Sequence, residues 1–194
     1  VPVLKKDGST RWAVDYRALN LHTVPDSFPT PRIAEVLEGL AESKIFSTLD
    51  AAQAYHNVPV DPASQSLTAF ICHFGLFLFK RMPFGLKNAG AKYCRIVQSL
   101  VDSLEVDGVL AYLDDLLLHT VDIDTHIDLM GHVLEAHRTV GIKLKAAKTR
   151  WLQRKVSYLG YDVSEEGIHL TSKFIEQVRD WPTPTSGTEL ASML

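Results

Sequence analysis

The sequence predicts an α+β fold in which helices pack on one face of an antiparallel sheet. The chain has 194 residues, of which 46% are hydrophobic and 22% charged, a composition typical of a globular protein with a sizeable core. Apolar segments of strand length recur along it, and several are joined by short turns that favour antiparallel hairpins. Segments with helical periodicity separate these strands, and this order of elements is typical of a layered α+β structure.

The first forty residues predict a hairpin and a helix. A first strand leads into the turn KKDGS, where Asp7-Gly8 is a hairpin signal, and a second strand follows in RWAVDYRAL. A proline-rich link then reaches Pro31, which suits the first turn of a helix. The helix itself is predicted from apolar residues at helical spacing, namely Ile33, Val36, Leu37 and Leu40.

The middle of the chain predicts a strand, two hairpins and a long helix. The segment KIFSTLDAAQAYHNVPV contains a strand that places Asp50 at its end, and TAFICHFGLFLFKRMPF predicts a hairpin with Gly75 in its turn. Residues from Ala89 to Val106 have helical periodicity. A second hairpin follows, with apolar strands on either side of the stretch LDD.

A second long helix is predicted from Thr125 to Val140. Its expected apolar side carries Ile127, Met130, Val133, Leu134 and His137. The spacing of its histidines does not match the i, i+4 pair of a helical metal site, so a structural role is favoured for His126, His132 and His137. A boundary is expected near Leu170–Ser172, followed by a helix in SKFIEQVRDW and another beginning near Ser186.

Two adjacent aspartates, Asp114 and Asp115, lie in the otherwise apolar stretch AYLDDLLLHT. Aspartate is rarely buried without a partner, and neighbouring carboxylates repel each other unless a cation compensates. The pair therefore lies either at an exposed turn, which aspartate tolerates, or in a metal site. This stretch alone supports both interpretations equally.

A third carboxylate, Asp50, ends a predicted strand 64 positions before Asp114. Two neighbouring strands of one sheet could bring it beside the aspartate pair. Three carboxylates around two hard divalent cations are the minimum for two-metal phosphoryl transfer, in which one ion activates the attacking hydroxyl and the other steadies the leaving pyrophosphate. The spacing of the aspartates does not by itself establish that chemistry.

Charge is distributed unevenly, although the net charge of -3 gives no sign of a nucleic-acid partner. Residues 96–137 contain nine acidic residues and no Lys or Arg, whereas residues 141–155 contain six basic residues and no acid. An acidic centre beside a basic segment suits a metal-dependent enzyme acting on a polyanion, although such blocks are more often solvated surfaces.

The remaining composition excludes several classes of protein. Cys72 and Cys94 are too few for a disulfide framework or a zinc site and fit a reducing interior. No apolar segment has the length of a transmembrane helix, so no membrane attachment is expected. The opening VPVLKKDGST resembles neither a signal peptide nor a natural start, and we expect the chain to be part of a longer protein.

Six motifs in order carry a family resemblance that covers almost the entire chain. They are KKDGSTRWAVDYRALN, FPTPRIAEVLEGLAESKIFSTLDAAQAYHNVPV, LTAFICHFGLFLFKRMPFGLKNAG, AYLDD, VGIKLKAAKTRW and VSYLGYDVSEEGI, followed by VRDWPTP. The succession resembles the reverse transcriptases of LTR retrotransposons of the Gypsy type and of their retroviral relatives. It implies the fingers and palm of a right-hand polymerase fold in residues 1–170, with fingers at about 1–40 and 57–83 and palm at 41–56 and 84–170. Residues 171–194 would begin a truncated thumb.

The resemblance implies a two-metal catalytic centre. Asp50, Asp114 and Asp115 match the family's catalytic carboxylates, which bind two Mg²⁺ ions with Mn²⁺ as a substitute. The backbone carbonyl of Ala51 is expected to help hold one ion, and Asp115 to be the more dispensable member of the aspartate pair.

The resemblance also implies contacts with a deoxynucleoside triphosphate. Lys5 and Arg11 match residues of the fingers hairpin that contact the triphosphate, where a guanidinium is suited to bidentate phosphate binding. Tyr55 matches the aromatic residue that stands against the ribose 2′ position and rejects ribonucleotides. Lys148 matches a lysine near the pyrophosphate and is a candidate general acid. Plain structural roles, as an exposed basic hairpin or a core aromatic, are the alternatives for these positions.

Further positions match contacts with the nucleic acid and the incoming nucleotide. Phe84 and Gly85, in MPFG, match the loop beside the template base and the nucleotide, where glycine permits close backbone approach. Leu159 and Gly160 match the hairpin that grips the primer 3′ end, and Tyr112 is expected to pack beneath the primer terminus.

The function implied is that of an RNA-directed DNA polymerase within a longer Pol polyprotein that also carries RNase H and integrase. The expected partners are dNTPs and an RNA or DNA template with its primer. The resemblance implies an intracellular location, in a cytoplasmic particle, with the nucleus as the alternative. Two other functions stay open: a catalytically silent nucleic-acid-binding remnant, and a metal-dependent nuclease or phosphatase that uses the same three aspartates.

Overall fold

The structure, a computed structural model, describes residues 2–4, 8, 10–29, 32–40 and 42–180. Its N-terminal part forms an antiparallel hairpin and two short helices: β1 (Pro2–Leu4), β2 (Thr10–Trp12), α1 (Arg17–His22) and α2 (Ile33–Glu38). The hairpin and α2 confirm the prediction. The second strand is shorter than predicted, because the Asp15 carboxylate accepts a hydrogen bond from the Arg17 backbone N–H, and the chain turns there into α1.

The central segment begins with the predicted strand that ends at the first aspartate. Its elements are β3 (Ile45–Asp50), two 3-10 helices (Ala54–Asn57 and Pro62–Thr68) and the hairpin strands β4 (Phe70–Cys72) and β5 (Gly75–Phe77). The turn of this hairpin lies at residues 73–74, so the prediction that placed Gly75 in the turn was off by one residue. Gly75 has a φ of 128°, which suits glycine at the point where β5 begins.

The second half contains the long helices and the remaining strands. In chain order these are α3 (Ala89–Asp102), β6 (Val109–Tyr112), β7 (Asp115–Thr120), α4 (Ile123–Val140), β8 (Arg150–Gln153), β9 (Lys155–Tyr158), β10 (Tyr161–Ser164), β11 (Gly167–Leu170) and α5 (Ser172–Arg179). Helix α3 ends four residues before the predicted end at Val106. The helix predicted near Ser186 lies outside the described residues.

A four-stranded antiparallel sheet is the centre of the molecule, with the strand order β6-β7-β3-β8. Helices α3 and α4 cover one face, as predicted, and share a buried apolar cluster with the sheet that includes Leu49, Leu116, Leu118, Tyr93 and Val133. The opposite face is covered by α2 and by the three-stranded sheet β11-β10-β9. The predicted α+β class is confirmed, and the sheet is buried between two layers.

The buried side of α4 agrees with the predicted one in part. Val133 and His137 are buried as predicted, and Met130 packs against the core. Ile127 and Leu134 are 51% and 41% exposed, whereas His126 and Leu129 are buried instead. The helix therefore presents to the sheet a side that overlaps the predicted one.

A chain of hydrogen bonds surrounds the buried His126. Its Nε2 lies 2.8 Å from Ser47 Oγ on β3, and its Nδ1 lies 2.9 Å from Thr120 Oγ1 on β7. The Thr120 hydroxyl donates to the Asp122 carbonyl, and Ser47 Oγ accepts from the Leu152 N–H on β8. A neutral imidazole protonated at Nδ1 satisfies all of these groups at once, so the structural role predicted for His126 is supported.

No helix among the described residues is long and apolar enough to cross a bilayer. Both cysteines are free, with Cys72 exposed and Cys94 partly buried.

Candidate active site

The strand register brings the predicted carboxylates together. Along the pairing of β3 with β7, Asp50 lies directly opposite Asp115, and Tyr112 on β6 pairs with Asp115 from the other side. Residues opposite each other in an antiparallel pair point to the same face of the sheet. The prediction that neighbouring strands bring Asp50 beside the aspartate pair is confirmed.

The turn between β6 and β7 consists of Leu113 and Asp114. Leu113 has a φ of 56°, a left-handed conformation that is costly for a side chain without a local hydrogen-bonding group. Strained backbone of this kind persists only where the surrounding structure holds it, and it is concentrated at functional sites. The turn presents the exposed Asp114 next to Asp115 at the end of the sheet.

Electrostatic repulsion within the carboxylate cluster is substantial. The surrounding protein partly desolvates Asp115 although its side chain is exposed at the cleft, and this desolvation, together with the charges of Asp114 and Asp50, raises the pKa of Asp115. Like charges directly opposite each other on paired strands are destabilising. A cluster arranged in this way therefore has a strong preference for a cation.

Lys148 supplies a cation to this cluster. Its Nζ donates to Asp50 Oδ2 at 2.8 Å, and this hydrogen bond raises the pKa of Lys148. The backbone pairing that extends beyond β3 positions the lysine: Ala52 N–H donates to the Lys143 carbonyl, and Lys145 N–H donates to the Asp50 carbonyl. The sequence predicted a basic segment containing Lys148 but not this ion pair.

Two cavities meet at Asp50 and Lys148. The larger, about 760 Å³, forms an open cleft that Asp114 also lines, together with Thr10, Ala51, Gln53, Ala54, Tyr55, His56, Phe84 and Lys145. The smaller, about 250 Å³, lies on the side of Asp115 and is lined by Thr48, Leu49, Leu116, Ser157, Tyr158 and Leu159 as well. The carboxylates thus stand between a wide cleft and a narrow one.

Tyr55 forms part of the wall of the larger cleft. Its ring centroid lies 5.4 Å from that of Phe84 and 5.8 Å from that of Tyr93 in an edge arrangement. Burial and the nearby Asp114 charge raise the pKa of the Tyr55 hydroxyl, so the phenol is neutral at physiological pH. The aromatic contacts hold the ring in place at the edge of the cleft.

The MPFG segment places Phe84 in the same cleft. Gly85 has a φ of 94°, and its carbonyl accepts a hydrogen bond of 2.8 Å from Asn20 on α1. A left-handed φ is strained for other residues, which explains why glycine follows Phe84. The hydrogen bond ties this loop to the N-terminal part of the chain.

Leu159 and Gly160 form the two-residue turn between β9 and β10, with φ values of 51° and 86°. Positive φ at both positions is the pattern of a type I′ hairpin, which normally prefers Asn-Gly. Leu159 lines the smaller cavity, and the Gly160 carbonyl accepts from Thr171 N–H ahead of α5. This turn therefore lies next to the Asp115 side of the carboxylate cluster.

Tyr158, which the sequence did not single out, lies in the smaller cavity with Asp115. Its side chain is 4% exposed, and its hydroxyl has no hydrogen-bond partner among the described residues. Desolvation, followed by the charge of Asp115, raises its pKa. Only the position of β9 against the end of β7 reveals this residue, because in sequence it looks like an ordinary inward-facing aromatic.

The residues at the cluster fit a divalent metal ion in their chemistry. Carboxylate oxygens are the preferred ligands of hard cations, and the mutual repulsion at Asp115 is what a bound cation would relieve. Among the described residues, however, no three acidic, His or Cys side chains are closed around one metal position, and Lys148 engages Asp50. The donor set is present, and its side chains would need to reorient around an ion.

Two predicted site residues, Lys5 and Arg11, lie wholly or partly outside the part of the protein that the structure describes. Lys5 is not among the described residues. For Arg11 the structure gives the backbone position, opposite Val3 in the β1–β2 hairpin. Thr10 of the same hairpin lines the larger cleft, so the hairpin borders the site.

Residues 3–163 match the protein family described as "Reverse transcriptase (RNA-dependent DNA polymerase)". The chain belongs to the reverse transcriptase family. Reverse transcriptases generally depend on divalent metal ions, in agreement with the donor set at Asp50, Asp114 and Asp115.

Curated relatives of this reverse transcriptase domain are retrotransposon polyproteins. The chain is 31% identical over 192 residues to the Transposon Tf2-3 polyprotein of Schizosaccharomyces pombe, with 99% of the chain covered. It is 32% identical over 184 residues to the retrovirus-related Pol polyprotein from transposon 297 of Drosophila melanogaster, with 95% of the chain covered. The chain spans 14% and 17% of the lengths of these relatives.

Solved reverse transcriptases share the fold. The foamy viral protease-reverse transcriptase dRH in complex with double-stranded DNA superposes with a TM-score of 0.86 at 27% identity, covering 98% of this chain and 33% of the viral one. The foamy viral protease-reverse transcriptase in complex with RNA/DNA hybrid gives a TM-score of 0.80 at 26% identity, covering 99% and 26%. Both of these relatives are described with a nucleic-acid duplex bound.

Proposed function

We propose that this chain is the RNA-directed DNA polymerase core of a retroelement Pol polyprotein and extends a primer with dNTPs. The observation that carries the proposal is the register that sets Asp50 directly opposite Asp115, with Asp114 in the adjoining turn, at a cleft of about 760 Å³. The proposal rests on family membership and on this arrangement together.

Asp50, Asp114 and Asp115 would hold two Mg²⁺ ions, with Mn²⁺ as a substitute and the Ala51 carbonyl as a further ligand. When bound, these ions would activate the primer hydroxyl and neutralise charge on the transferred phosphoryl group and the leaving pyrophosphate. The exposed Asp114 and Asp115, the partly exposed Asp50 and the strained Leu113 turn support the assignment.

The cationic side of the cleft would bind the triphosphate. Lys148 and Lys145 both line the cleft that contains Asp50 and Asp114, and ammonium groups donate well to phosphate oxygens. Lys148 is the candidate for protonating the pyrophosphate, since it is the lysine that reaches the carboxylate cluster. Lys5 and Arg11 of the N-terminal hairpin would close over the triphosphate.

Aromatic and glycine residues would position the sugar, the bases and the primer. Tyr55, held by Phe84 and Tyr93, would stand against the ribose 2′ position. Phe84 and Gly85 would border the nascent base pair. On the other side of the carboxylates, Leu159 and Gly160 would contact the primer end, and Tyr112 would pack beneath it, an arrangement supported by the smaller cavity there.

The proposed domain assignment, further domains and cellular location follow the retrotransposon relatives. We assign residues 1–40 and 57–83 to the fingers, 41–56 and 84–170 to the palm, and 171–194 to the beginning of the thumb. The full polyprotein would add RNase H and integrase, and the protein would act inside the cell in a cytoplasmic particle. The template would be RNA or DNA carrying a primer.

Primer extension on heteropolymeric templates tests the proposed activity. The protein is mixed with a labelled DNA primer on an RNA template of known sequence, Mg²⁺ and dNTPs, at low salt because phosphate contacts weaken as salt rises. Extension that stops wherever the templated dNTP is omitted supports the proposal. Shortening of the strands without any need for dNTPs indicates a nuclease, and duplex binding without extension indicates a silent remnant; either result contradicts it.

A further inference from the structure

The ion pair between Lys148 and Asp50 has a role that the reaction itself does not require. We propose that Lys148 is a tethered counter-ion that occupies Asp50 before a divalent cation binds and competes with that cation for the carboxylate. The inference rests on the proposed function, because it takes Asp50 to be a metal ligand. It concerns the protein before a cation binds, in which Asp50 lies opposite Asp115 and lines the same cleft as Asp114.

The backbone holds Lys148 at this position. The segment between α4 and β8 pairs with the continuation of β3 through a bridge between Ala51 and Leu144. Lys145 N–H donates to the carbonyl of Asp50 itself at 2.8 Å, and Lys148 N–H donates to the Lys145 carbonyl at 2.9 Å. The turn that carries the lysine is therefore hydrogen-bonded to the residue whose carboxylate the ammonium contacts.

The next residue, Thr149, secures the other end of the turn. It is 7% exposed, and both its N–H and its hydroxyl donate to the Lys145 carbonyl, at 3.1 Å each. Strand β8 begins immediately afterwards and pairs with β3. The Lys148 side chain extends from this fixed backbone and is 58% exposed.

The charges around the ammonium favour this resting position. Lys148 contacts Asp50 at 2.8 Å and also interacts favourably with Asp115 and Asp114. Its charge thus partly offsets the repulsion among three carboxylates that would otherwise face each other without compensation. A cation that takes Asp50 as a ligand must displace this ammonium.

Displacement would leave Lys148 available within the same cleft. The residue lines both the wide cleft and the smaller cavity, so its side chain can leave Asp50 without leaving the site. Binding of the cation would then release the ammonium for phosphate oxygens. In this arrangement one lysine protects the metal-free site and becomes a phosphate ligand only after the carboxylates have taken up their cation.

Mn²⁺ binding to the protein without nucleotide or nucleic acid tests the inference independently of activity. Electron paramagnetic resonance of free Mn²⁺ is compared for the wild type, Lys148→Met, Lys148→Arg and Lys145→Met. An exposed ion pair is worth up to about 1 kcal/mol, so Lys148→Met is expected to bind Mn²⁺ about two- to fivefold more tightly. Lys148→Arg, which keeps the charge, and Lys145→Met, which removes a charge from the same cleft outside the ion pair, are expected to stay within about twofold of wild type.

Failure of the inference and failure of the proposed function give different results. If the wild type binds Mn²⁺, Asp114→Asn weakens that binding and Lys148→Met matches or falls below the wild-type affinity, the competition is overturned while the metal site stands. If neither the wild type nor Lys148→Met binds Mn²⁺, the metal site and the competition are both overturned. Tighter binding by Lys148→Met alone supports the counter-ion role.

Discussion

Asp115 is the residue at which folding and the proposed chemistry conflict. Its pKa in the folded protein is raised by desolvation and by the charges of Asp114 and Asp50. As the pH rises from the unfolded value near 3.8 through the raised folded value, the folded state loses stability, since it holds this proton more tightly than the unfolded state does. At neutral pH the ionised side chain therefore destabilises the metal-free fold.

Replacing Asp115 with Asn is expected to stabilise the metal-free protein at pH 7 by up to about 1 kcal/mol. The gain should shrink as the pH falls toward 4, because the folded protein takes up this proton before the unfolded chain does. Urea unfolding at both pH values measures this difference. The control Asp128→Asn changes an exposed carboxylate on α4 and should shift stability by less than about 0.5 kcal/mol. An Asp115→Asn variant less stable than wild type at pH 7 contradicts the account.

Tyr158 and Tyr16 form a matched pair of buried tyrosines, 4% and 5% exposed. The Tyr158 hydroxyl lacks a partner among the described residues, whereas the Tyr16 hydroxyl donates to the Thr68 carbonyl at 3.1 Å. Tyr158→Phe is therefore expected to raise the free energy of unfolding by about 1 kcal/mol, and Tyr16→Phe to lower it by a similar amount. An equal loss of unfolding free energy in both variants would show that the Tyr158 hydroxyl makes a hydrogen bond in solution.

Tyr55 is expected to control the choice of sugar. Shortening it to Val opens the cleft wall next to Asp114, so incorporation of ribonucleotides relative to deoxyribonucleotides should rise at least about tenfold. Tyr55→Phe keeps the ring and should retain the discrimination. The measurement is kcat/KM for matched dNTP and rNTP on one template. If the ratio of these two values is unchanged in Tyr55→Val, the Tyr55 ring has only a packing role.

At the scale of single elements, α4 shows where sequence periodicity is ambiguous. Apolar residues occur on more than one side of this helix, so its period alone did not decide which side faces the sheet. The structure buries Val133 fully and leaves Leu134 41% exposed. Two histidines with internal hydrogen bonds, His126 and His137, occupy core positions that a hydrophobic pattern assigns to aliphatic residues.

Truncations at two adjacent positions of α4 test this orientation. Val133→Ala leaves a cavity beneath the helix and should cost about 2 kcal/mol of unfolding free energy. Leu134→Ala should cost less, at most about 1 kcal/mol, since Leu134 is 41% exposed and loses only part of the burial that Val133 has. Thermal or urea unfolding of both variants measures the difference, and a larger loss in Leu134→Ala than in Val133→Ala would contradict this orientation of the helix.

The β6–β7 hairpin and strand β3 were predicted accurately because apolar runs and turn chemistry are local signals. The β6–β7 hairpin follows from the two apolar runs that flank Asp114, and β3 from the run that ends at Asp50. The ion pair between Lys148 and Asp50 joins residues 98 positions apart and depends on the pairing of β3 with the segment before β8. No local pattern contains that information, which explains why the sequence indicated the three aspartates but not their counter-ion.

At the scale of the whole molecule, buried histidines link stability to pH. Burial lowers the pKa of His119, His126 and His137 below the usual value of 6.5. A lowered folded pKa means that the unfolded state takes up protons first, so stability present above pH 6.5 is lost as the pH falls below it. His126 is hydrogen-bonded to β3 and β7, and Ser47 connects it to β8, so its protonation affects the central sheet.

The melting temperature is accordingly expected to fall between pH 7.5 and pH 5. His126→Gln should lower stability overall and flatten this dependence, whereas His132→Gln, at an exposed position on the same helix, should leave the slope unchanged. Thermal unfolding followed by circular dichroism across this range is the measurement. A wild-type melting temperature that stays constant down to pH 5 would be inconsistent with neutral buried histidines.

We infer that the register of β3 and β7 assembles the carboxylates proposed to catalyse primer extension. The most direct test of this inference is the single-turnover rate of adding one templated dNTP to a pre-bound primer-template with Mg²⁺, for the wild type, Asp114→Asn and the control Asp107→Asn, with primer-template affinity measured in parallel. We expect Asp114→Asn to slow the step at least about a hundredfold at unchanged affinity, while Asp107→Asn keeps the wild-type rate. An Asp114→Asn variant that adds the nucleotide at the wild-type rate would contradict the inference.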